Sequence, residues 1–295
     1  MAFLVLLATL SLGGLADALA AGPPPGGWPT PPATGQVDPE AAHEGVYDGD
    51  TFTLTTGDRI RLKWVNTPEL KPLEPWAREA REFTKTFVSG KPLALEFDPA
   101  SPRDGYGRIV AGVRTPEGDL SEALLRAGLG HVFLIPPESG DPSRLLAAQE
   151  EARAAKRGIW SHEMYQGDLH ITSFHANGRG DDVADPNVEY MRIANMTGRP
   201  VDTDGWRLVD LRGNTHRFPR TVVQPGYTVQ VYSGPGASGP EPDGQVVIHL
   251  GSTTPLWDDK LETVELYDPA GRLVDRREHK VGNPTPPGGL RPSSK

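Results

Sequence analysis

The sequence predicts an α+β unit, a small barrel of short antiparallel strands carrying three helices at its side, followed by an all-β sandwich. Three observations predict this. A chain of 295 residues suits about two domains of roughly 100–200 residues each. Between residues 44 and 163, short alternating runs are interleaved with three helical stripes. From 168 to 280 there is no helical stripe, only about seven alternating runs punctuated by turn residues.

In the first unit, Val46-Tyr47 leads through the turn Asp48-Gly49-Asp50-Thr51 into Phe52-Thr53-Leu54-Thr55. Arg59 to Val65 alternates as one strand, with Ile60, Leu62 and Trp64 on one face and Arg59, Arg61 and Lys63 on the other. Asn66-Thr67-Pro68-Glu69 breaks it, because proline lacks an N–H. Trp76, Ala80, Phe83 and Phe87 form a helical stripe that begins after Pro75 and stops at Gly90. Leu93–Phe97 and Arg108–Val113 read as strands. A short helix runs from Asp119 to Ala127, closed by Gly128, and a third from Pro142 to about Arg157, stopped by Gly158.

Composition excludes several chemistries. There is no cysteine, so disulfides, thiolate nucleophiles, Cys-ligated zinc and Fe–S clusters are ruled out, and any metal must use oxygen or histidine ligands. The net charge is −9, and the parts divided at 43 and 163 carry −3 each; no part is a basic nucleic-acid coat, so phosphate would have to be held by a few local arginines. Residues 1–20, an apolar run ending Ala18-Leu19-Ala20, read as a secretory signal peptide. They are too short and too Gly-interrupted for a membrane span, and the mature chain is expected to have none. Residues 21–43 read as an extended Pro/Gly linker outside any core, and 281–295 as a flexible tail. Export without cysteine suggests a bacterial protein, secreted, periplasmic or at the cell surface.

Polar groups gather at strand ends. Asp50 sits in a tight turn, Arg61 projects from the polar face of its strand, Asn66, Thr67 and Glu69 lie in the break that follows, and Arg108 ends the turn Asp104-Gly105-Tyr106-Gly107. Carboxylates with a carbonyl-bearing Asn suit a hard cation such as Ca²⁺. Two arginine forks suit a phosphate, and a spare glutamate can act as general base.

The runs Val46-Tyr47-Asp48-Gly49-Asp50-Thr51, Arg61 to Glu69, Asp104 to Arg108, Leu120 to Leu129 and Arg157-Gly158-Ile159-Trp160-Ser161 together resemble the staphylococcal nuclease-like, or thermonuclease, family. That resemblance implies an OB-fold barrel with three helices and Ca²⁺-dependent hydrolysis of DNA and RNA. It implies that Asp50 binds Ca²⁺, that Thr67 offers its backbone carbonyl, and that Glu69 holds or deprotonates the attacking water. Arg61 and Arg108 would grip the phosphate, and Tyr106 would lie beside the nucleotide. In this sequence Asn66 stands where the family usually has a second metal-binding Asp, which predicts a working site with weaker Ca²⁺ binding. His131-Val132-Phe133-Leu134 replaces the family's usual aromatic and basic nucleotide platform, and Phe133 is expected in the core.

The second unit resembles a lamin-tail domain through Glu189 to Asn195, Pro200 to Leu208, Phe218-Pro219 and Val223 to Tyr227, which implies a non-catalytic immunoglobulin-like sandwich that binds an envelope or extracellular ligand. Asn177 to Asp182 with Asp185 reads as a solvated loop rather than a second Ca²⁺ site, and His170 with His175 is a weak metal pair. The leading expectation is an exported, monomeric, Ca²⁺-dependent nuclease; the alternatives are a catalytically impaired nucleic-acid-binding module attached to a surface-binding sandwich, and a surface structural protein.

Overall fold

The structure, a computed structural model, describes residues 29–38, 45–137, 140–177 and 182–281. The expected signal peptide, nearly all of the expected tail and residues 178–181 of the Asn177–Asp182 loop lie outside them. Among the described residues, no helix is long and apolar enough to cross a membrane.

The N-terminal region has strands β1 (Thr34–Gly35), β2 (Thr51–Thr53), β3 (Arg59–Leu62), β4 (Val65–Asn66), β5 (Leu93–Glu96), β6 (Ile109–Thr115), β7 (Gly118–Asp119) and β8 (His131–Val132). Its helices are α1 (Ala77–Val88), α2 (Leu120–Ala127) and α3 (Ser143–Ala154). The main sheet runs β1-β5-β6-β3-β2, with β7 on β6, while β4 and β8 pair apart from it. Phe52, Ile60, Leu62, Leu93, Ile109 and Val113 share its core with Leu120 and Leu124 of α2.

The expected barrel is not closed by a ladder. Among the described residues the sheet is an open path whose ends meet at one hydrogen bond, Thr55 N–H to the Gln36 carbonyl at 2.9 Å. The edge is too short to do more: Pro29, Pro31 and Pro32 have no N–H to donate, and β1 uses its two residues pairing with Leu93 and Ala94. Residues 33–37, expected outside any core, thus supply an edge strand and the buried Val37.

Two elements are shorter than their periodicity suggests. The run from Arg59 breaks after Leu62, and Trp64 takes φ 66°. The turn redirects the chain so that Val65 and Asn66 pair with Val132 and His131, so Trp64 does not share a face with Ile60 and Leu62. Trp76, counted in the first helical stripe, has φ 71° and lies exposed just before α1, whose buried side is Ala77, Ala80, Thr84, Phe87 and Val88.

α2 is capped as its sequence predicts. Asp119 accepts from Glu122 N–H at 3.0 Å, and Gly128 ends the helix at φ 71°. Gly158, at φ 54°, lies so close that an added Cβ would sit 2.0 Å from the Gly128 carbonyl oxygen. Gly158→Ala is expected to cost more than about 3 kcal/mol, through backbone clash and a left-handed φ together. A chemical-denaturation midpoint within error of wild type would refute this.

The C-terminal region contains β9 (Leu169–His175), β10 (Tyr190–Asn195), β11 (Val201–Asp202), β12 (Arg207–Val209), β13 (Thr215–Arg217), β14 (Val222–Val223), β15 (Thr228–Tyr232), β16 (Gly239–Pro240), β17 (Val246–His249), β18 (Leu261–Tyr267) and β19 (Leu273–Lys280). One sheet runs β16-β17-β15-β10-β9 and another β13-β12-β18-β19, with β11-β14 as a separate pair. Ile171, Ile193, Val229 and Ile248 from the first sheet and Leu208, Val264 and Leu266 from the second share one apolar cluster with Trp206 and Trp257. Alternation explains the burial: in β18 every second residue, Glu262, Val264 and Leu266, is buried.

The two regions are joined by backbone as well as side chains. Leu134 N–H donates to the Gly226 carbonyl at 2.9 Å, and Thr228 N–H donates to the Leu134 carbonyl at 3.1 Å. A small cluster of Ala152, Ile159, Trp160, Met164 and Tyr165 packs against Ala194 and Met196 of the C-terminal region.

Candidate active site

The site is built where β2, β3 and β4 turn. Val46 bridges Phe52, so Asp48-Gly49-Asp50 closes a tight turn between them. The turn presses against α1: a Cβ on Gly49 would lie 2.7 Å from Ala80 Cβ and 2.8 Å from Thr67 Oγ1, and Thr84 Oγ1 donates to the Gly49 carbonyl at 2.5 Å. Only glycine permits that approach, which drives the buried Asp50 side chain toward Thr67. One Asp50 oxygen, Oδ2, accepts from Thr67 N–H at 2.8 Å and Thr67 Oγ1 at 3.1 Å. The other, Oδ1, accepts from Thr51 Oγ1 at 3.1 Å and lies 3.3 Å from Arg61 Nε.

Arg61 points from the polar side of β3 and is fixed on all its nitrogens. Nη1 donates to the Leu62 and Val65 carbonyls at 2.6 and 2.7 Å, and Nη2 to Asn66 Oδ1 at 2.8 Å. Its guanidinium carbon is 5.8 Å from the centre of the Phe133 ring. The break in the strand at Lys63–Trp64 folds Val65 and Asn66 back so that they cradle the guanidinium.

Glu69 follows Pro68 on a loop. Its N–H donates to Glu74 Oε2 at 3.0 Å, and Glu74 N–H returns a bond to the Glu69 carbonyl at 2.8 Å. Burial, followed by the charges of Asp50 and Glu74, pushes the Glu69 carboxyl up to about 7, against the pull of Arg61 and Arg277. Burial, with Asp50 and Glu69, likewise holds Asp48 well above the usual carboxylate range. Tyr47, about half exposed, stands near Glu69 and Asp48, and its hydroxyl is raised by partial burial first and then by those two acids.

Arg108 stands apart from this cluster. Asp104 Oδ2 binds its Nε and Nη2, each at 2.7 Å, and its guanidinium carbon is 5.2 Å from the Tyr106 ring centre. Ile60 of β3 pairs in parallel with Ile109 of β6, and both are buried; Arg61 follows the one and Arg108 precedes the other in sequence.

The structure thus brings together Asp50, Arg61, Asn66 and Thr67, with Glu69 within their electrostatic reach, and sets Arg108 and Tyr106 on the neighbouring turn. Asn66, expected as a metal ligand, accepts a hydrogen bond from Arg61 Nη2 on its side-chain oxygen. Sequence reasoning missed two residues. Asp48 was read only as part of a turn, although an acid two residues before another in a glycine turn is a signal for a paired-carboxylate site; its Oδ1 accepts from Asp50 N–H at 3.1 Å. Glu74 gave no local signal, because its role depends on contacts distant in sequence.

The donor set suits a hard cation: Asp48, Asp50 and Glu69 lie close enough to feel one another's charge, which adds to burial in raising the Asp48 and Glu69 carboxyls. Among the described residues, however, no three His, Asp or Glu side chains form a ready-made metal cage, so backbone and amide carbonyls would have to complete the shell.

A helix-flanked sheet with a carboxylate–guanidinium cluster in a glycine turn is the class this architecture defines. Residues 59–162 match the family model described as Staphylococcal nuclease homologue, and residues 162–280 match the Lamin Tail Domain. Among similar proteins, a thermonuclease of Staphylococcus hyicus is 32% identical over 124 residues, which cover 40% of this chain and 73% of that protein. An uncharacterized endonuclease of Escherichia coli is 35% identical over 120 residues, or 39% and 73%. The SPbeta prophage-derived endonuclease YokF of Bacillus subtilis is 33% identical over 128 residues, 41% of this chain but 43% of its own length; Endonuclease YncB of the same organism is matched over 61% of its length. This chain belongs to the staphylococcal nuclease homologue family and carries a lamin-tail region after the nuclease-like one.

Proposed function

We propose that the protein is an exported, Ca²⁺-dependent nuclease that hydrolyses phosphodiester bonds of DNA, RNA or both. The observation that carries this reading is the packing of Asp50, Arg61 and Thr67 against one another, with Glu69 coupled electrostatically to Asp50 and Arg61. Asp50 and the Thr67 carbonyl would hold calcium, with Asp48 adding charge beside them. Calcium, when bound, supplies positive charge that offsets the carboxylates and the charge building on the phosphate. Glu69 orients the attacking water and takes its proton at a carboxylate oxygen. Arg61 would turn N–H groups from its present oxygen acceptors to the phosphate, and Arg108 would do the same from the neighbouring turn after leaving Asp104. Tyr106, 54% exposed, would lie against the nucleotide. The lamin-tail region, read as an immunoglobulin-like sandwich, would bind an envelope or extracellular ligand.

Digestion of plasmid DNA and of RNA with Ca²⁺, and again with excess chelator, tests the reading: cutting is expected only with calcium. Absence of cutting by the folded chain, or cutting that survives the chelator, would sink it. The rival reading, a binding module impaired at Asn66, draws on the engagement of Asn66 by Arg61. Asn66→Asp separates them, since ligand charge count tunes Ca²⁺ affinity. Calcium affinity is expected to rise about tenfold, a gain of roughly 1.4 kcal/mol, when measured by calorimetry; an unchanged dissociation constant would remove position 66 from the site.

A further inference from the structure

We propose that the lamin-tail region is a working part of the nuclease site: Arg277, on β19, positions Glu69 by holding Glu74. This rests on the nuclease reading above and extends it to a residue 208 positions beyond Glu69 in the chain.

The contacts form one continuous buried path. Glu74 is 4% exposed and Arg277 8%. Arg277 Nη1 pairs with Glu74 Oε1. The other oxygen of that carboxylate, Oε2, accepts the Glu69 N–H at 3.0 Å and the Tyr165 hydroxyl at 3.3 Å. Glu74 is therefore gripped on both oxygens, and its orientation fixes the backbone of Glu69. Arg277 is itself immobilised: Nε donates to the Ile171 carbonyl at 2.7 Å, and Nη2 lies 3.3 Å from His170 Nε2. His170 Nδ1 is 2.9 Å from Asp275 Oδ2, which also accepts the Ile171 N–H at 2.6 Å. Strands β9 and β19 thus present the guanidinium from a rigid support.

Glu69 needs such a support. It lies between Thr67 and α1, outside any sheet ladder, and both recorded backbone hydrogen bonds of Glu69 go to Glu74. A general base must be held within a fraction of an ångström of its water, and small misplacements are costly in rate. Arg277 touches neither water nor phosphate in this reading, so it is a positioning residue. A buried pair is fragile to the loss of one partner, because the remaining charge is stranded; removing the guanidinium would free the Glu74 carboxylate to turn or to admit water.

The alternative is that the pair only staples the two regions together. Steady-state kinetics of the full-length protein on an oligonucleotide, at saturating Ca²⁺ and well below the melting temperature, separates the two. In Arg277→Met, kcat is expected to fall about 10- to 100-fold, the range typical of outer-shell supports, with KM changed less than about threefold. Arg277→Lys should recover kcat to within about threefold of wild type, because an ammonium can still pair with Glu74. A folded Arg277→Met with wild-type kcat and only a lower melting temperature overturns the proposal. Should that variant fail to fold, Glu74→Gln/Arg277→Met removes both charges and strands neither: a lowered kcat with unchanged KM supports positioning, and wild-type kcat overturns it. If wild type itself does not cut, the nuclease reading falls and this proposal with it; if wild type cuts and the folded variants match it, only the proposal falls.

Discussion

Glu69→Gln is expected to lower kcat by about 10²–10⁴ while leaving oligonucleotide KM within a few-fold of wild type, the scale at which a positioned general base contributes. The amide is nearly isosteric and keeps the backbone bonds to Glu74, so the loss would be one of proton acceptance and not of folding. Arg61 predicts a different pattern. Asp50, Asn66 and the carbonyls of Leu62 and Val65 all bind its guanidinium, so Arg61→Ala removes a phosphate ligand and also takes a donor away from four oxygen acceptors. Arg61→Lys is the cleaner test: a point charge cannot reproduce the planar fork, and a loss of about 10²–10³ is expected. Arg108→Lys should cost about as much as Arg61→Lys, because each guanidinium must exchange protein oxygens for substrate: Asp104 for Arg108, and Asp50, Asn66 or a backbone carbonyl for Arg61. A Glu69→Gln protein that cuts at near the wild-type rate would show that another group takes the proton.

How far the sequence disclosed this site follows from how local each interaction is. The turn Asp48-Gly49-Asp50, the cap at Asp119 and the stop at Gly128 were legible because each is settled within four residues. Asp50, Arg61 and Thr67 were legible as a set only through the recurrence of several runs in family order; spacing alone left Asp50 as an ordinary turn residue. The break at Trp64 was not legible. Alternation continued through it, and only pairing with His131 and Val132, more than sixty residues away, bends the chain there. Val37 and β1 were hidden by the prolines around them, whose composition reads as linker even though a two-residue edge needs only two free backbone groups. Glu74 and Arg277 were invisible for the same reason on a larger scale: a charged residue looks solvent-facing until its partner from another region covers it. His170, weighed as a weak metal ligand, proves to sit in that same covered network between Arg277 and Asp275.

The seam between the two regions should also make the fold sensitive to acid. His131 on β8 is 1% exposed and lies 5.8 Å, ring centre to ring centre, from His170 across the seam. Its Nδ1 is 2.9 Å from the Val132 carbonyl, while Nε2 is buried with no hydrogen-bond partner. Burial, then His170 and the guanidiniums of Arg61 and Arg277, lowers its pKa to about 3 despite the Val132 carbonyl. The unfolded chain takes up this proton near pH 6.5 and the folded chain only near 3, so the unfolded state binds more protons between those limits. The associated stability is complete above about pH 6.5 and is lost as pH falls toward 3. At pH 4.5 the loss comes to about 2–3 kcal/mol, at roughly 1.4 kcal/mol per pH unit. Urea unfolding at pH 7.5 and 4.5, compared between wild type and His131→Leu, isolates this from the carboxylates that titrate in both proteins: the variant should lose about 2–3 kcal/mol less than wild type on acidification. Because β8 pairs with β4, the strand that carries Asn66, unfolding driven by this proton uptake would also remove the support of Arg61. An equal loss in both proteins would mean that the folded state accommodates the charged ring, and that the seam is wetter than its burial implies.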